Sequence, residues 1–432
     1  MSGKATINNL IAHYLKTNNY PKTLKQFEEE NGKPIDSNLD NPSENSLRSI
    51  IQDRLIFNSL SSQFQNTSIN SNDQELIPQK LKFLIDNEFT NWNLPYPHIP
   101  DVLDIHPLII SSAYDSLSGT LYFTTNDSQI IIKKGNNLKK IKFQEIIKKI
   151  LVFEGGVLLL GMSGYLYLKD FNLENVSDET PVIQTQSRFT VDAKVIKFEG
   201  TNYVVTLAFN NILKLIKIDD NKFEILDELK LDLQGTCFDL TIYQNQIVIV
   251  VGKLENTLLD VYTITNFKFK LHYKISINDA EFTTSSFSPR YVTFSNPSNK
   301  TEIPIIAVAT SHDPFMRIIL VSLIDFESPT PISRNQILKN YNTLSPQDKF
   351  SQPLISWRYH NNKISGIWVM GDDGTIRGLD VLENKIIKEL KPSNESRGHK
   401  TKIKDFIHFI DKDGKENLVT SGIDRQVIEW KS

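Results

Sequence analysis

A single cysteine, Cys237, in 432 residues excludes an internal disulfide and fits a chain kept in a reducing compartment. No apolar run approaches the roughly eighteen residues of a membrane-spanning helix. The opening MSGKATINNL lacks the apolar core of a signal peptide, and Ser2 stands where myristoylation requires glycine. Net charge is only -3, so no global field draws the chain to nucleic acid or an anionic membrane. Enzyme signatures are equally missing: there is no GxxxxGKS/T, HExxH, CxxC or GxSxG. These absences lead us to expect a soluble protein of the cytoplasm and/or nucleus, not an enzyme, with no catalytic residue, metal or cofactor.

What is present divides by periodicity. Up to about Trp92 apolar residues recur at helical spacing, and from about Val102 the chain runs in short β-type segments. Ile7, Leu10, Ile11, Tyr14 and Leu15 fall on one helical stripe, with Thr6 available as N-cap. Lys16 to Asn19 break the pattern, and Pro21 suits the first position of a second helix carrying Leu24 and Phe27. Gly32 and Pro34 end it. Helices this short are marginal alone and must pack on something.

The run from Ile7 through Leu10, Ile11, Tyr14, Leu15, Tyr20, Thr23, Leu24 and Phe27 to Glu30 resembles the LisH motif position by position. That resemblance implies a helical hairpin that pairs with a second copy into a four-helix dimer. Leu10, Ile11, Leu15, Leu24 and Phe27 would line the shared core, with Tyr14 and Tyr20 bracing the hairpin. An amphipathic hairpin packed on its own chain is the alternative.

Residues 36–94 read as further helices and a polar linker. Asn41-Pro42-Ser43-Glu44 is close to a capping box, followed by a stripe of Leu47, Ile50, Ile51 and Leu55. Ser59 to Asp73 is Ser/Gln/Asn-rich, and Leu81, Leu84, Ile85, Phe89 and Trp92 predict another helix. No convincing CTLH signature, the second helical motif of several LisH proteins, is present. Pro95, Pro97 and Pro100 make a stiff crossing. The expected domains are therefore a hairpin over 1–35, helices and linker over 36–94, and a β domain over 95–432.

In that β domain seven two-strand units recur every 40 to 60 residues, at 120–134, 157–171, 203–218, 246–264, 304–323, 364–382 and 417–432. Such a period in an all-β chain predicts a seven-bladed propeller, one four-stranded blade per unit. The last unit, with Gly398-His399 ahead of LVTSGIDRQVIEW, resembles a WD40 blade. The resemblance implies a hydrogen-bonded set of His399, Thr420 (or Ser421), Asp424 and Trp430. Unit six keeps Asp373-Gly374 and has Leu379-Asp380 where the repeat would read Trp-Asp. Asp313, Asp373 and Asp424 sit at corresponding turns and read as blade braces. The chain stops after the third strand of the last unit, so a segment near 102–110 is expected to supply the fourth and close the ring.

Other features admit plainer readings. Gly155-Gly156 to Gly164 lacks the lysine and helix of a phosphate loop and reads as strand-turn glycine. Lys133, Lys134, Lys139, Lys140, Lys142, Lys148 and Lys149, relieved only by Glu145, form the one basic cluster. It reads as a solvated blade edge before an acidic-protein or nucleic-acid face, because no aromatic stacking pattern accompanies it. Trp357-Arg358-Tyr359-His360 joins hot-spot residue types, yet a buried tryptophan at the start of a blade explains it as well.

A dimeriser joined to a WD40-like propeller implies a non-catalytic scaffold or adaptor subunit of a multiprotein complex. It would self-associate as a homodimer through LisH and bind other proteins through propeller faces, with neither nucleic acid nor membrane as partner. The alternative is a substrate-recruiting or scaffold subunit of a ubiquitin ligase of the CTLH-like kind. A transcriptional corepressor or dynein/microtubule-regulator subunit is a further one, since fold does not dictate function.

Overall fold

The computed structural model describes residues 3–37, 46–47, 51, 78–174, 181–185, 189–278, 287–296, 303–326, 330–348, 350–391 and 398–432. They fall into two units, Met1–Ile77 and Pro78–Ser432. The stripe from Leu47 to Leu55 and the polar stretch 59–73 lie outside the described residues, apart from Leu47 and Ile51.

In the first unit helix α1 (Gly3–Thr17) is followed by α2 (Pro21–Asn31). Thr6 lies inside α1 and is not its N-cap, because the helix already begins at Gly3. Gly32 takes φ 71°, a left-handed conformation cheap only for glycine, and its N–H closes α2 on the Glu29 carbonyl. The Tyr20 N–H bonds the Leu15 carbonyl at 2.9 Å, fixing the turn, and Asn8 Nδ2 donates to Asn31 Oδ1 at 2.8 Å across the pair.

The second unit opens with α3 (Gln79–Asp86), whose Leu84 is fully buried. The expected helix stops there: Glu88 has φ 65°, and Phe89 bridges to Ile364. Phe89 and Trp92 therefore lie beyond the helix, in a strap that packs on the blades. The expected boundary at 94/95 falls inside this unit.

The strands then form seven sheets. Blade 1 is β2 (Ile109–Asp115), β3 (Thr120–Thr125), β4 (Gln129–Lys134) and β5 (Asn137–Lys142), and blade 2 is β6 (Ile147–Phe153), β7 (Gly156–Gly161), β8 (Tyr165–Lys169) and β9 (Val182–Gln184). Blade 3 is β10 (Thr190–Phe198) to β13 (Lys222–Lys230). Blade 4 runs from β14 (Gly235–Tyr243) through β15 (Gln246–Lys253) to β17 (Lys268–Ser276) and gains a parallel β21 (Ile332–Ser333). Blade 5 is β18 (Pro289–Phe294), β19 (Ile305–Thr310), β20 (Phe315–Ser322) and β22 (Ile337–Pro346). Blade 6 is β23 (Ile355–His360), β24 (Lys363–Met370), β25 (Ile376–Asp380) and β26 (Lys385–Leu390). Blade 7 is β27 (Ile403–Ile410), β28 (Glu416–Gly422) and β29 (Val427–Lys431), completed by β1 (Ile99–Leu103).

Each two-strand unit read from sequence supplies the second and third strands of one blade. The closing strand starts three residues earlier than the expected segment: β1 pairs antiparallel with β29 from Ile99–Lys431 to Leu103–Val427. The first strands of successive blades lie side by side around a closed ring, β27 returning to β2.

The core is divided accordingly. Seven apolar clusters occur, one between each pair of neighbouring blades. In β7, Val157 and Leu159 pack toward blade 1 while Leu158 and Leu160 pack toward blade 3. Strands covered on both faces lose the apolar–polar alternation and read as continuous apolar runs, as in IIAVAT of β19.

Candidate functional site

Three constellations stand out: the open stripe of the helical hairpin, the polar sets that brace the blades, and a charged cluster on the propeller axis. In the hairpin no residue of α2 is buried. Leu10, Ile11, Leu15, Leu24 and Phe27 are only half-buried, while Ile7, Tyr14 and Tyr20 are exposed at 58%, 37% and 51%.

The polar set of blade 7 is assembled around a fully buried His399. Its Nε2 lies 2.9 Å from Thr420 Oγ1, and its Nδ1 lies 3.2 Å from Asp424 Oδ1. Trp430 Nε1 donates to the same Thr420 hydroxyl at 3.0 Å. The order is consistent with a neutral ring whose Nδ1–H donates to Asp424. Burial lowers the His399 pKa against the pull of Asp424. A side chain at Gly422 would overlap the Asp424 carboxylate, so glycine is needed for that close approach.

Other blades hold their turns with different chemistry. In blade 6 Asp373 binds Arg377 at 2.7 Å and caps the Thr375 N–H. In blade 2 Glu145 accepts from the Ser163 and Tyr167 hydroxyls, each at 2.6 Å. Blade 4 buries Lys253 between Asp232 at 2.8 Å and Asp260 at 2.6 Å. In blade 5 Gln347 donates to the Thr310 carbonyl. Asp313 is not a brace: it is exposed at a hairpin tip, and its side chain makes no hydrogen bond among the described residues.

The strap ahead of β1 is held by residues to which sequence reasoning gave other roles: Trp92 as part of a helix, Arg358 as a hot-spot type and Asp380 as the aspartate of the repeat. Trp92 fills a slot where Gly366 and Gly378 leave the sheet bare; a Cβ at either glycine would strike its ring. The backbone N–H of Trp92 donates to Asp380 Oδ2 at 2.6 Å, so the aspartate of Leu379-Asp380 anchors the strap. Arg358 lies 4.4 Å over the Trp92 ring and donates to the carbonyls of Asn93 and Pro95. The run Trp357 to His360 is thus β23 itself, with Trp357 and Arg358 buried. The paired glycines and the Trp92 beside the prolines were the available signal.

The basic cluster splits. Lys139 and Lys140 are exposed on the outer strand β5, and Lys133 pairs with Glu429. Lys148 and Lys149 point the other way, to the Thr190 carbonyl and to Asp192. There they join Lys194, which pairs with Asp239 at 3.0 Å, and Asp405, which accepts from Ser112. Burial raises the Asp405 pKa to about 6. Cys237, the lone cysteine, is buried, and burial pushes its thiol up to about 12, far from a nucleophile's range. Among the described residues no group of three His, Cys, Asp or Glu could hold a metal, and no helix is long and apolar enough to cross a membrane.

Two family descriptions match the chain: "UCP007778, LisH domain" over residues 5–37 and "UCP007778, beta-propeller domain" over residues 69–431. The chain is also 27% identical, over 87% of its length and 87% of the other's, to "Uncharacterized protein YGR117C" of Saccharomyces cerevisiae. A helical hairpin with the LisH pattern and a closed seven-bladed propeller, matched over most of the chain, place this protein in the UCP007778 family.

Proposed function

We propose that this protein is a non-catalytic scaffold that presents two propellers together. A LisH domain and a propeller suggest a protein-interaction module. The finer reading rests on one observation: α2 buries none of its residues, so the stripe of Leu10, Leu15, Leu24 and Phe27 has apolar surface left to cover. A second copy of the hairpin covers it symmetrically. Joining two discs raises the effective concentration of each at a partner that carries two sites. Propeller loops then hold other subunits of a complex, in the cytoplasm or nucleus.

The test is co-purification of two differently tagged full-length copies. Each copy should capture the other, and Leu10→Asp with Phe27→Asp in both should abolish capture. Undiminished capture by the double variant would remove the hairpin from self-association.

A further inference from the structure

The propeller axis carries an excess of cations at one mouth, and its cause is a repeated irregularity. Six of the seven first strands bulge at the same register position: Ile109/Ser111, Ile147/Lys149, Thr190/Asp192, Gly235/Cys237, Pro289/Tyr291 and Ile403/Asp405. A bulge re-aims the extra residue it inserts. Those extra residues include Lys148 in blade 2, Arg290 in blade 5 and Lys404 in blade 7.

The ends concerned share one face. In six blades the residue after the second strand donates its N–H to the residue before the first, as Met162 does to Ile146 and Ile423 to Lys402. Lys148 and Lys404 therefore stand at the same mouth, on blades separated by blade 1. Their charges meet across the opening: burial lowers the Lys148 pKa, and Lys149 and Lys404 push it the same way against Asp192. Tyr291 of blade 5 likewise senses Lys194 of blade 3, Asp239 of blade 4 and Asp405 of blade 7.

Lys149 is matched by Asp192 and Lys194 by Asp239. Lys148 donates to the Thr190 carbonyl and shares the field of Asp192 with Lys149, and Lys404 has neither a hydrogen bond nor an ion pair among the described residues. Asp405 is the one further carboxylate of the cluster, and it is engaged by Ser112. Beside Lys404 lies a cavity of about 110 Å³ lined by Phe350, Gln352, Leu354, Lys402, Ile403 and Lys404 itself, with Phe350 74% exposed. Lysines in excess of the carboxylates, next to a hollow whose apolar side is Phe350, Leu354 and Ile403, complement a segment that carries a carboxylate beside an apolar side chain.

We propose that this axial mouth, centred on Lys148 and Lys404, binds an acidic peptide segment whose carboxylate enters between the two lysines while a neighbouring apolar side chain seats against Leu354 and Phe350. The proposal rests on the protein-binding reading of the propeller and names the partner's chemistry.

Fluorescence anisotropy of the full chain with a labelled peptide alternating glutamate and leucine tests it. Lys404→Glu alters a side chain with no partner to lose and should weaken binding at least about tenfold, as should Lys148→Glu. Lys139→Glu with Lys140→Glu, on the outer edge, should leave it within about twofold, and a lysine–leucine peptide should not bind. Equal losses from edge and mouth, no loss from Lys404→Glu, or displacement by millimolar inorganic phosphate as the better ligand would each overturn the proposal. Light scattering on the same samples separates the two readings: a dimer blind to the peptide sinks the axial site alone, and a monomer that binds it sinks the dimer alone.

Discussion

Arg358 Nη2 lies 2.8 Å from Glu416 Oε2, and the two side chains are 0% and 5% exposed. The pair links β23 of blade 6 to β28 of blade 7. Arg358 Nε donates to the same carboxylate at 2.9 Å, and Trp368 Nε1 and His408 Nε2 reach it at 2.8 and 3.1 Å. Arg358 Nη1 holds Ser365, and Nη2 also holds the strap carbonyls of Asn93 and Pro95. One buried guanidinium thus fastens two blades and the segment that delivers the closing strand.

Removing one partner strands the other charge without water. Arg358→Met or Glu416→Leu should each cost about 3–5 kcal/mol in chemical denaturation, and the double variant should cost less than the two losses added. Strict additivity would show that the pair acts as two independent contacts.

The slot for Trp92 gives a second expectation. Gly378→Val should evict the indole and loosen the strap, lowering stability by about 1–3 kcal/mol through overpacking. Hydrogen exchange should then rise in β1 before it rises in blades 2 to 4. Unchanged protection of β1 would separate the strap from closure.

The blade 7 set predicts an acid limb. Folded His399 has a pKa below its ordinary 6.5, so the unfolded chain binds the proton first and stability falls as pH drops below 6.5. His312, lowered to about 4 by burial, adds in the same direction between 6.5 and about 4. His399→Asn should flatten the slope of unfolding free energy against pH in that window. Trp430→Ala should cost about 3–5 kcal/mol by emptying a buried site and removing one hydrogen bond from the Thr420 hydroxyl.

Asp405 has the opposite sign. Its folded pKa of about 6 exceeds 3.8, so folding favours the protonated form and stability falls as pH rises from 3.8 through about 6. Asp405→Asn should raise stability by about 1–3 kcal/mol in neutral buffer and leave it unchanged below pH 4. Melting curves in the two buffers check this; a neutral-pH loss would mean that the carboxylate is a net anchor for Lys149 and Lys404.

Much of this architecture is legible locally. The stripe from Ile7 to Phe27 and the seven two-strand units depend on spacing within one or two elements, where period and turn residues act directly. Blade identity faded where the bracing changed chemistry. Glu145 with Tyr167, or Lys253 between Asp232 and Asp260, does the work of His399 and Asp424 without their residue types. Partners far apart in sequence left no local trace: Arg358 meets Glu416 58 residues on, and Trp92 meets Asp380 288 residues on. The run Lys133 to Lys149 looked like one basic patch because sequence does not show that β5 and β6 lie at opposite ends of neighbouring blades, outer edge against axis.

The most direct measurement of the central claim is the solution mass of the full chain by light scattering. The account predicts twice the 49.5 kDa chain mass, falling to one chain in Leu10→Asp/Phe27→Asp with the β-rich circular dichroism intact. A wild-type mass of one chain, or a dimer that survives the double substitution, would contradict it.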